Sequence, residues 1–216
     1  FGGVNKTKYG LSSEYNAKVI NAYQDSLGKN VRVFSVIAPS AGEILLPSEF
    51  LSKQRSECSD IKEIEGMLYP HIKKADVCIE LHRRKDQYLY FSTDHHWTGR
   101  GAYCGYVAFC KAAAFTPLAL ESMEHHVIPG FLGSLYRLTK DPRLGENPDS
   151  VEYFKVPNKH KAFEVAGQRY DKKNKKMLYV EFAKGENSYG VFLGDDFPLM
   201  CVETNIKNGR TAMIIK

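Results

Sequence analysis

Apolar residues recur at helical spacing near the start of the chain, where Tyr15, Val19, Tyr23 and Leu27 lie four apart and Gly28 supplies a stop signal. Ser12 or Ser13 can cap that helix. Next, Val31 to Ala38 is rich in β-branched residues and ends at Pro39-Ser40-Ala41-Gly42, which predicts a strand and its exit loop. A helix followed by a strand is the step from which α/β chains are built. A second helix is expected from about Asp60, with Ile61, Ile64 and Leu68 on one side. Ala75 to Leu81 reads as another strand, Arg83 to Asp86 as a turn, and Tyr88 to Phe91 as a third strand. Thr98 or Gly99 then opens a helix through about Ala114, with Ala102, Tyr103, Tyr106, Val107 and Cys110 placed to face a core.

Beyond that helix the pattern changes. Gly and Pro punctuate Val127 to Asp149, and short strands are expected at Val151 to Val156, Phe163 to Val165, Met177 to Phe182 and Tyr189 to Leu193. The stretch reads as a β-rich insertion at about 127–200, before the sheet resumes near Ala212. Arg210 to Lys216 has the composition of a buried strand and stops at the last residue. With a first residue Phe1 rather than Met, this leads us to expect one domain over 1–216 whose C-terminal part is missing.

Composition narrows the class. At 216 residues and 43% hydrophobic, the chain can bury an ordinary core. Its longest apolar runs, such as Ala112 to Phe115, are too short to cross a bilayer. No basic-then-apolar signal segment opens the chain, and an exported precursor trimmed before Phe1 would look the same. The net charge of +5 has its densest contribution at Lys172-Lys173-Asn174-Lys175-Lys176, read as a solvated hairpin tip rather than a contact for an acidic polymer. No nucleic-acid recognition motif accompanies it, so a nucleic-acid partner is not expected. The five cysteines, Cys58, Cys78, Cys104, Cys110 and Cys201, show no metal-site spacing and read mostly as small core residues. Cys104 and Cys110 fall on different faces of one helix, and the redox compartment stays open.

Reactive side chains concentrate in Tyr90-Phe91-Ser92-Thr93-Asp94-His95-His96-Trp97-Thr98, between a strand-like run and a helix start. An Asp two residues before a His can bond the imidazole Nδ1 and fix its tautomer, leaving Nε2 to take a proton from a hydroxyl. Such loops at strand ends form the crevice of open α/β sheets. Four readings fit the segment. Asp94 can simply cap the following turn. The histidines can bind a metal together with His125-His126, His82 or Asp195-Asp196, although no H-x-x-x-H spacing is present. Asp94 and His96 can serve acyl transfer as orienter and base. Trp97, Tyr90 and Tyr103 can form an aromatic platform for sugar rings.

Thr93-Asp94-His95-His96-Trp97-Thr98, followed by Gly101-Ala102-Tyr103, closely resembles the signature of the bacterial DHHW proteins. It is also similar to the Asp-x-His-Trp segment of the alginate O-acetyltransferases, which have an SGNH-hydrolase-like domain. Ala38-Pro39-Ser40-Ala41, Gly130 to Tyr136 and Tyr189 to Gly194 fit the DHHW pattern too. The resemblance implies a three-layer α/β domain of SGNH-hydrolase type with a mainly parallel sheet. It implies Asp94 and His96 as catalytic residues, with His95, Trp97 and Arg100 supporting them or binding substrate. The nucleophilic serine would follow the next core strand, just past Lys216. Ser188, in Asn187-Ser188-Tyr189-Gly190, imitates the expected turn and is the alternative within the chain; Ser40 and Ser134 are weaker ones.

The implied activity is carbohydrate O-acyl (acetyl) transfer or ester hydrolysis, with a polysaccharide and an acyl donor as partners and no metal or organic cofactor. A membrane-associated partner acyltransferase and an extracytoplasmic location, periplasm or cell surface, follow from the same resemblance. The alternative is a non-catalytic carbohydrate-binding or assembly protein of the cell envelope.

Overall fold

A computed structural model describes residues 11–51, 53, 55–166, 171–184, 188–194, 197 and 199–215. The chain opens with helix α1 (Leu11–Leu27). Gly28 ends it with φ of 73°, a left-handed conformation that suits glycine. The stripe turned inward is Ser13, Ala17 and Gln24, whereas Tyr15, Tyr23 and Leu27 are exposed. Ala17 packs with Ile64, Leu68 and Ile72, so α1 lies against helix α4 (Glu57–Gly66).

Strand β1 (Phe34–Val36) pairs in parallel with β2 (Lys73–Ala75), placing Phe34 opposite Lys73 and Val36 opposite Ala75. Between them come short helices α2 (Ala41–Leu45) and α3 (Ser48–Leu51), then α4. The expected strand over Ala75 to Leu81 is instead helix α5 (Val77–His82). Asp76 decides this, because its side chain accepts from the Ile79 N–H at 3.0 Å and caps a helix that buries Val77, Cys78 and Leu81. A disulfide joins Cys58 of α4 to Cys78 of α5, a pairing the cysteine spacing did not announce. Cys104 and Cys110 are buried free thiols, as core residues should be.

Helix α6 (Gly99–Ala113) packs on α5 and on both parallel strands. Its inner face carries Gly101, Cys104, Gly105 and Ala108, small residues at helical spacing that let it approach closely. The principal core gathers Ile44, Ala75, Val77, Leu81, Leu89 and Tyr90 beneath them. Buried Glu80 ties α5 to α6 through Lys111 at 2.5 Å and also holds Arg84 at 2.7 Å.

The β-rich part is more irregular than its sequence suggests. Strand β3 (Glu124–Phe131) pairs antiparallel with β4 (Asp149–Lys155), with a bulge between Pro129 and Phe131. Short helices α7 (Ser134–Thr139) and α8 (Pro142–Glu146) connect them. In β4, Asp149, Val151 and Tyr153 alternate inward, the period of a half-buried strand. A separate sheet orders β6 (Asp171–Lys175), β5 (His160–Ala166) and β7 (Met200–Thr204), with antiparallel pairings.

The lysine-rich run is therefore strand β6 and not a hairpin tip. Lys172 pairs with Glu203 at 3.3 Å and Lys175 with Glu164 at 3.1 Å. The expected strands over Met177 to Phe182 and Tyr189 to Leu193 are 3-10 turns (Val180–Lys184 and Ser188–Val191), joined by a single bridge between Leu178 and Phe192. Residues 210–215 form no strand, and Ile214 is 94% exposed. Apolar composition does not bury a segment that no neighbouring strand pairs. Among the described residues, the β1–β2 pair alone is parallel, and no helix is long and apolar enough to cross a membrane.

Candidate active site

The reactive segment is a tight loop closed across its base. Tyr90 and Trp97 form an antiparallel bridge, the Thr98 N–H donates to Leu89 O at 2.9 Å, and the Phe91 N–H donates to His96 O at 3.3 Å. Thr98 caps α6 by accepting from the Gly101 N–H at 3.3 Å, and its hydroxyl donates to Tyr88 O at 2.6 Å. Trp97 packs against the principal core and over Gly105, where an added Cβ would lie 2.9 Å from the indole. It anchors the loop. Tyr90 donates to Pro39 O at 2.7 Å, fastening the loop to the exit of β1.

Asp149 at the head of β4 holds the loop from the other side. Its carboxylate accepts from the Ser92 N–H at 3.0 Å, the Thr93 N–H and hydroxyl at 2.6 Å each, and the Tyr88 hydroxyl at 2.6 Å. Thr93 then bridges to the segment before α7. Its Oγ1 accepts from the Gly133 N–H at 3.0 Å, and its carbonyl accepts from Leu135 and Tyr136 at 3.0 and 3.2 Å.

On this frame Asp94 is 2% exposed and His96 about a third exposed. Asp94 Oδ1 accepts from His96 Nδ1 at 2.5 Å and from the His96 backbone N–H at 2.9 Å. Asp94 Oδ2 accepts from the Ser134 N–H at 2.7 Å. Burial opposes the charged carboxylate, but the His96 ring, the two N–H donors and the His96 charge outweigh it and hold Asp94 well below the usual carboxylate range. Gly133 is needed here, since an added Cβ would stand 2.7 Å from Asp94 Cγ and closer still to its neighbours.

His96 lies between two rings. Tyr189 stacks on one face with centroids 3.8 Å apart and planes 7° from parallel, and His95 covers the other at 3.8 Å and 37°. His95 Nδ1 meets the Ser134 hydroxyl at 2.6 Å. Burial, followed by the Asp94 charge, pushes the Tyr189 phenol up to about 12, so it is neutral at ordinary pH. No described residue bonds His96 Nε2. The arrangement is that of an oriented base with its remaining nitrogen available for a proton.

Several other sequence candidates are engaged away from this pair. Arg100 pairs with Glu152 at 2.5 Å and lies over Phe154, facing β4. Ser188 opens a 3-10 turn, and its side chain lies outside the described residues, as do Asp195 and Asp196. The Ser40 hydroxyl donates to Glu57 at 2.9 Å, and His82 meets Cys78 O at 2.9 Å. His125 stacks on Phe154, while His126 stacks on Tyr153 and bonds Glu124 at 2.6 Å.

Asp94, His95 and His96 do bring three ligand atoms within 4.8 Å of one another, a donor set that zinc accepts. His96 Nδ1 and Asp94 Oδ1 are hydrogen-bonded to each other at 2.5 Å, so a cation here would take other atoms of these side chains. Asp149, Gly133, the Ser134 N–H and Tyr189 were not found as site residues from sequence; only the glycine beside Ser134 and the Tyr189-Gly190 turn gave a local signal.

The site is an Asp-His pair in a loop between a bridge and a capped helix, on a mixed α/β scaffold. The chain belongs to the DHHW family, whose family model, described as DHHW protein, matches residues 5–216. It is similar to the crystal structure of a DHHW family protein from Eubacterium siraeum DSM 15702, with 27% identity and a TM-score of 0.82 over 92% of this chain. This chain spans 66% of the length of that one. Bacillus cereus PatB1, solved with a sulfonyl adduct, matches at 19% identity and a TM-score of 0.65, over 91% of this chain and 67% of its own. At that identity the likeness is one of fold. The O-acetyltransferase domain of Pseudomonas putida AlgJ matches at 16% identity and a TM-score of 0.47, over 68% of this chain and 56% of its own, too slight to carry an argument. No curated protein sequence matches.

Proposed function

We propose that this chain carries the base and the orienting carboxylate of a centre that attaches or removes an acyl group, most simply acetyl, on a carbohydrate hydroxyl. The observation that carries the reading is the 2.5 Å bond between Asp94 Oδ1 and His96 Nδ1, with the other carboxylate oxygen held by the Ser134 N–H. Asp94 keeps the neutral ring in its Nδ1–H form, so Nε2 accepts the proton of a serine hydroxyl as its oxygen attacks the acyl carbon. The imidazolium then returns that proton to the departing alcohol, leaving an acyl-serine. A sugar hydroxyl or water, deprotonated by the same Nε2, releases the acyl group and restores the serine. Backbone N–H groups beside the serine hold the tetrahedral oxyanion.

In this reading the serine lies past residue 216, and Ser134 supports the pair, its N–H donating to Asp94 and its hydroxyl meeting His95 Nδ1. Residues 1–216 form one SGNH-like domain with an insertion at about 127–200. The parallel β1–β2 pair under α6 supports the reading of a three-layer domain with a mainly parallel sheet. The Cys58–Cys78 disulfide favours an oxidising, extracytoplasmic compartment, where a polysaccharide acceptor and a membrane-associated acyl supplier would be met.

The test is acetyl-ester hydrolysis by the intact protein. His96→Ala is expected to lower kcat by about 10²–10⁴-fold, the usual contribution of a positioned general base, with an unchanged circular dichroism spectrum. An undiminished rate removes His96 from the mechanism. Sugar binding without turnover in the wild type would favour the non-catalytic carbohydrate-binding alternative.

A further inference from the structure

We infer that Tyr189 is a positioning residue for His96, holding the imidazole in the orientation that presents Nε2; this rests on the acyl-transfer reading of the same site. The two planes are 7° from parallel with centroids 3.8 Å apart, so the rings are in full face contact. His95 closes the opposite face at 3.8 Å. An imidazole covered on both faces cannot swing about its Cβ–Cγ bond without driving an edge into one of them. The Asp94 bond selects which nitrogen points inward, and the stack keeps the ring in the plane where that bond is made.

Tyr189 is itself firmly placed. It belongs to the cluster of Phe91, Phe131, Val151 and Val191, with Phe91 edge-on at 6.5 Å and Phe192 at 5.4 Å. Its 3-10 turn is fixed by the Tyr179 N–H donating to Val191 O at 2.8 Å and the Phe192 N–H donating to Tyr189 O at 3.1 Å. The opposite wall is equally defined, because Ser134 meets His95 with its hydroxyl and Asp94 with its N–H. The 3-10 turn thus reaches the reactive loop through the Tyr189 ring, beside the contacts that Asp149, Gly133 and Ser134 make. A phenol that stays neutral adds no charge to compete with Asp94, and it excludes water from one side of the Asp94–His96 bond, which strengthens that bond.

The discriminating experiment compares Tyr189→Phe, Tyr189→Leu and Tyr189→Ala in the intact protein by nuclear magnetic resonance of the histidine rings and by steady-state kinetics. Tyr189→Phe keeps the ring and is expected to keep the upfield shift of the His96 ring protons, the dominant Nδ1–H tautomer and kcat. Tyr189→Leu and Tyr189→Ala are expected to lose the shift, show mixed tautomers and lower kcat about 10- to 100-fold at little-changed KM, as a misplaced catalytic group does. Tyr189→Leu retains apolar bulk in the cluster, so its losses at a near-wild-type melting temperature separate positioning from folding. Unchanged tautomer and shift in Tyr189→Leu and Tyr189→Ala, or a Tyr189→Phe as impaired as Tyr189→Ala, overturns the inference. Loss of both signals in a protein that shows no ester turnover supports the positioning role while rejecting the acyl-transfer reading.

Discussion

Asp94 illustrates how a single buried carboxylate stays charged: three donors converge on two oxygens, and their combined effect exceeds the cost of burial. Its folded pKa lies below the unfolded value of about 3.9. The stability it contributes is therefore complete above that pH and is lost as the pH falls below it. Urea unfolding of the wild type and Asp94→Asn across pH 7 to 2 should show the wild type more stable at neutral pH, with the difference shrinking below about pH 4. Other depressed carboxylates are common to both proteins and cancel in the difference. A constant gap across the series would show that Asp94 is not held ionised by these contacts. At this scale the sequence showed the Asp94 and His96 pair, because a two-residue spacing lets a carboxylate reach the ring through local backbone alone. It gave no sign of Asp149, which lies 56 residues from Thr93 and meets it only through the folding of β3 and β4.

Elements were legible where one strong local signal dominated. Helix α6 follows Thr98 as expected, although Ala102 and Tyr106, expected inward, are exposed and the small residues Gly101, Cys104, Gly105 and Ala108 face the core instead; α4 and β4 fall close to their predicted places. Ala75 to Leu81 misled because its apolar residues satisfy both periods, and the Asp76 cap together with the buried Glu80 network settled the helix. The lysine run is solvated as its charge predicts, but it lies along a strand rather than at a hairpin tip, beside acidic partners on β5 and β7. Glu80 also permits a prediction about the α5–α6 junction. Burial works against its charge, but Lys111 and Arg84 hold its pKa down. Glu80→Ala removes hydrogen bonds to three cations, Arg83, Arg84 and Lys111, and should cost about 1–3 kcal/mol of unfolding free energy at neutral pH. Denaturant titration would measure it, and a loss within error of zero would mean that α5 and α6 dock through apolar packing alone.

At the scale of the molecule, three apolar clusters among the described residues carry packing, and the site lies where two of them meet: Trp97 anchors its loop to one, while Phe91 and Tyr189 belong to the other. The Cys58–Cys78 bond strengthens the α4–α5 side at a distance from that junction in sequence. Closing a loop of 20 residues limits the unfolded chain, and its reduction should lower stability by about 3 kcal/mol. Thermal melts with and without reductant would show it. Native-state alkylation should modify partly exposed Cys201 and spare buried Cys104 and Cys110. An unchanged melting temperature after verified reduction would count against the bond as a stabilising element. Sequence could not reveal the pairing, since spacing fixes neither partner nor distance. Asp149 has a final consequence for engineering. The backbone at Ser92 and Thr93 takes its shape from a carboxylate at the head of a distant strand, so a synthetic peptide spanning the motif, or its graft onto a foreign hairpin, would carry the reactive letters without their conformation. Transplanting the function means moving two non-adjacent pieces of chain together.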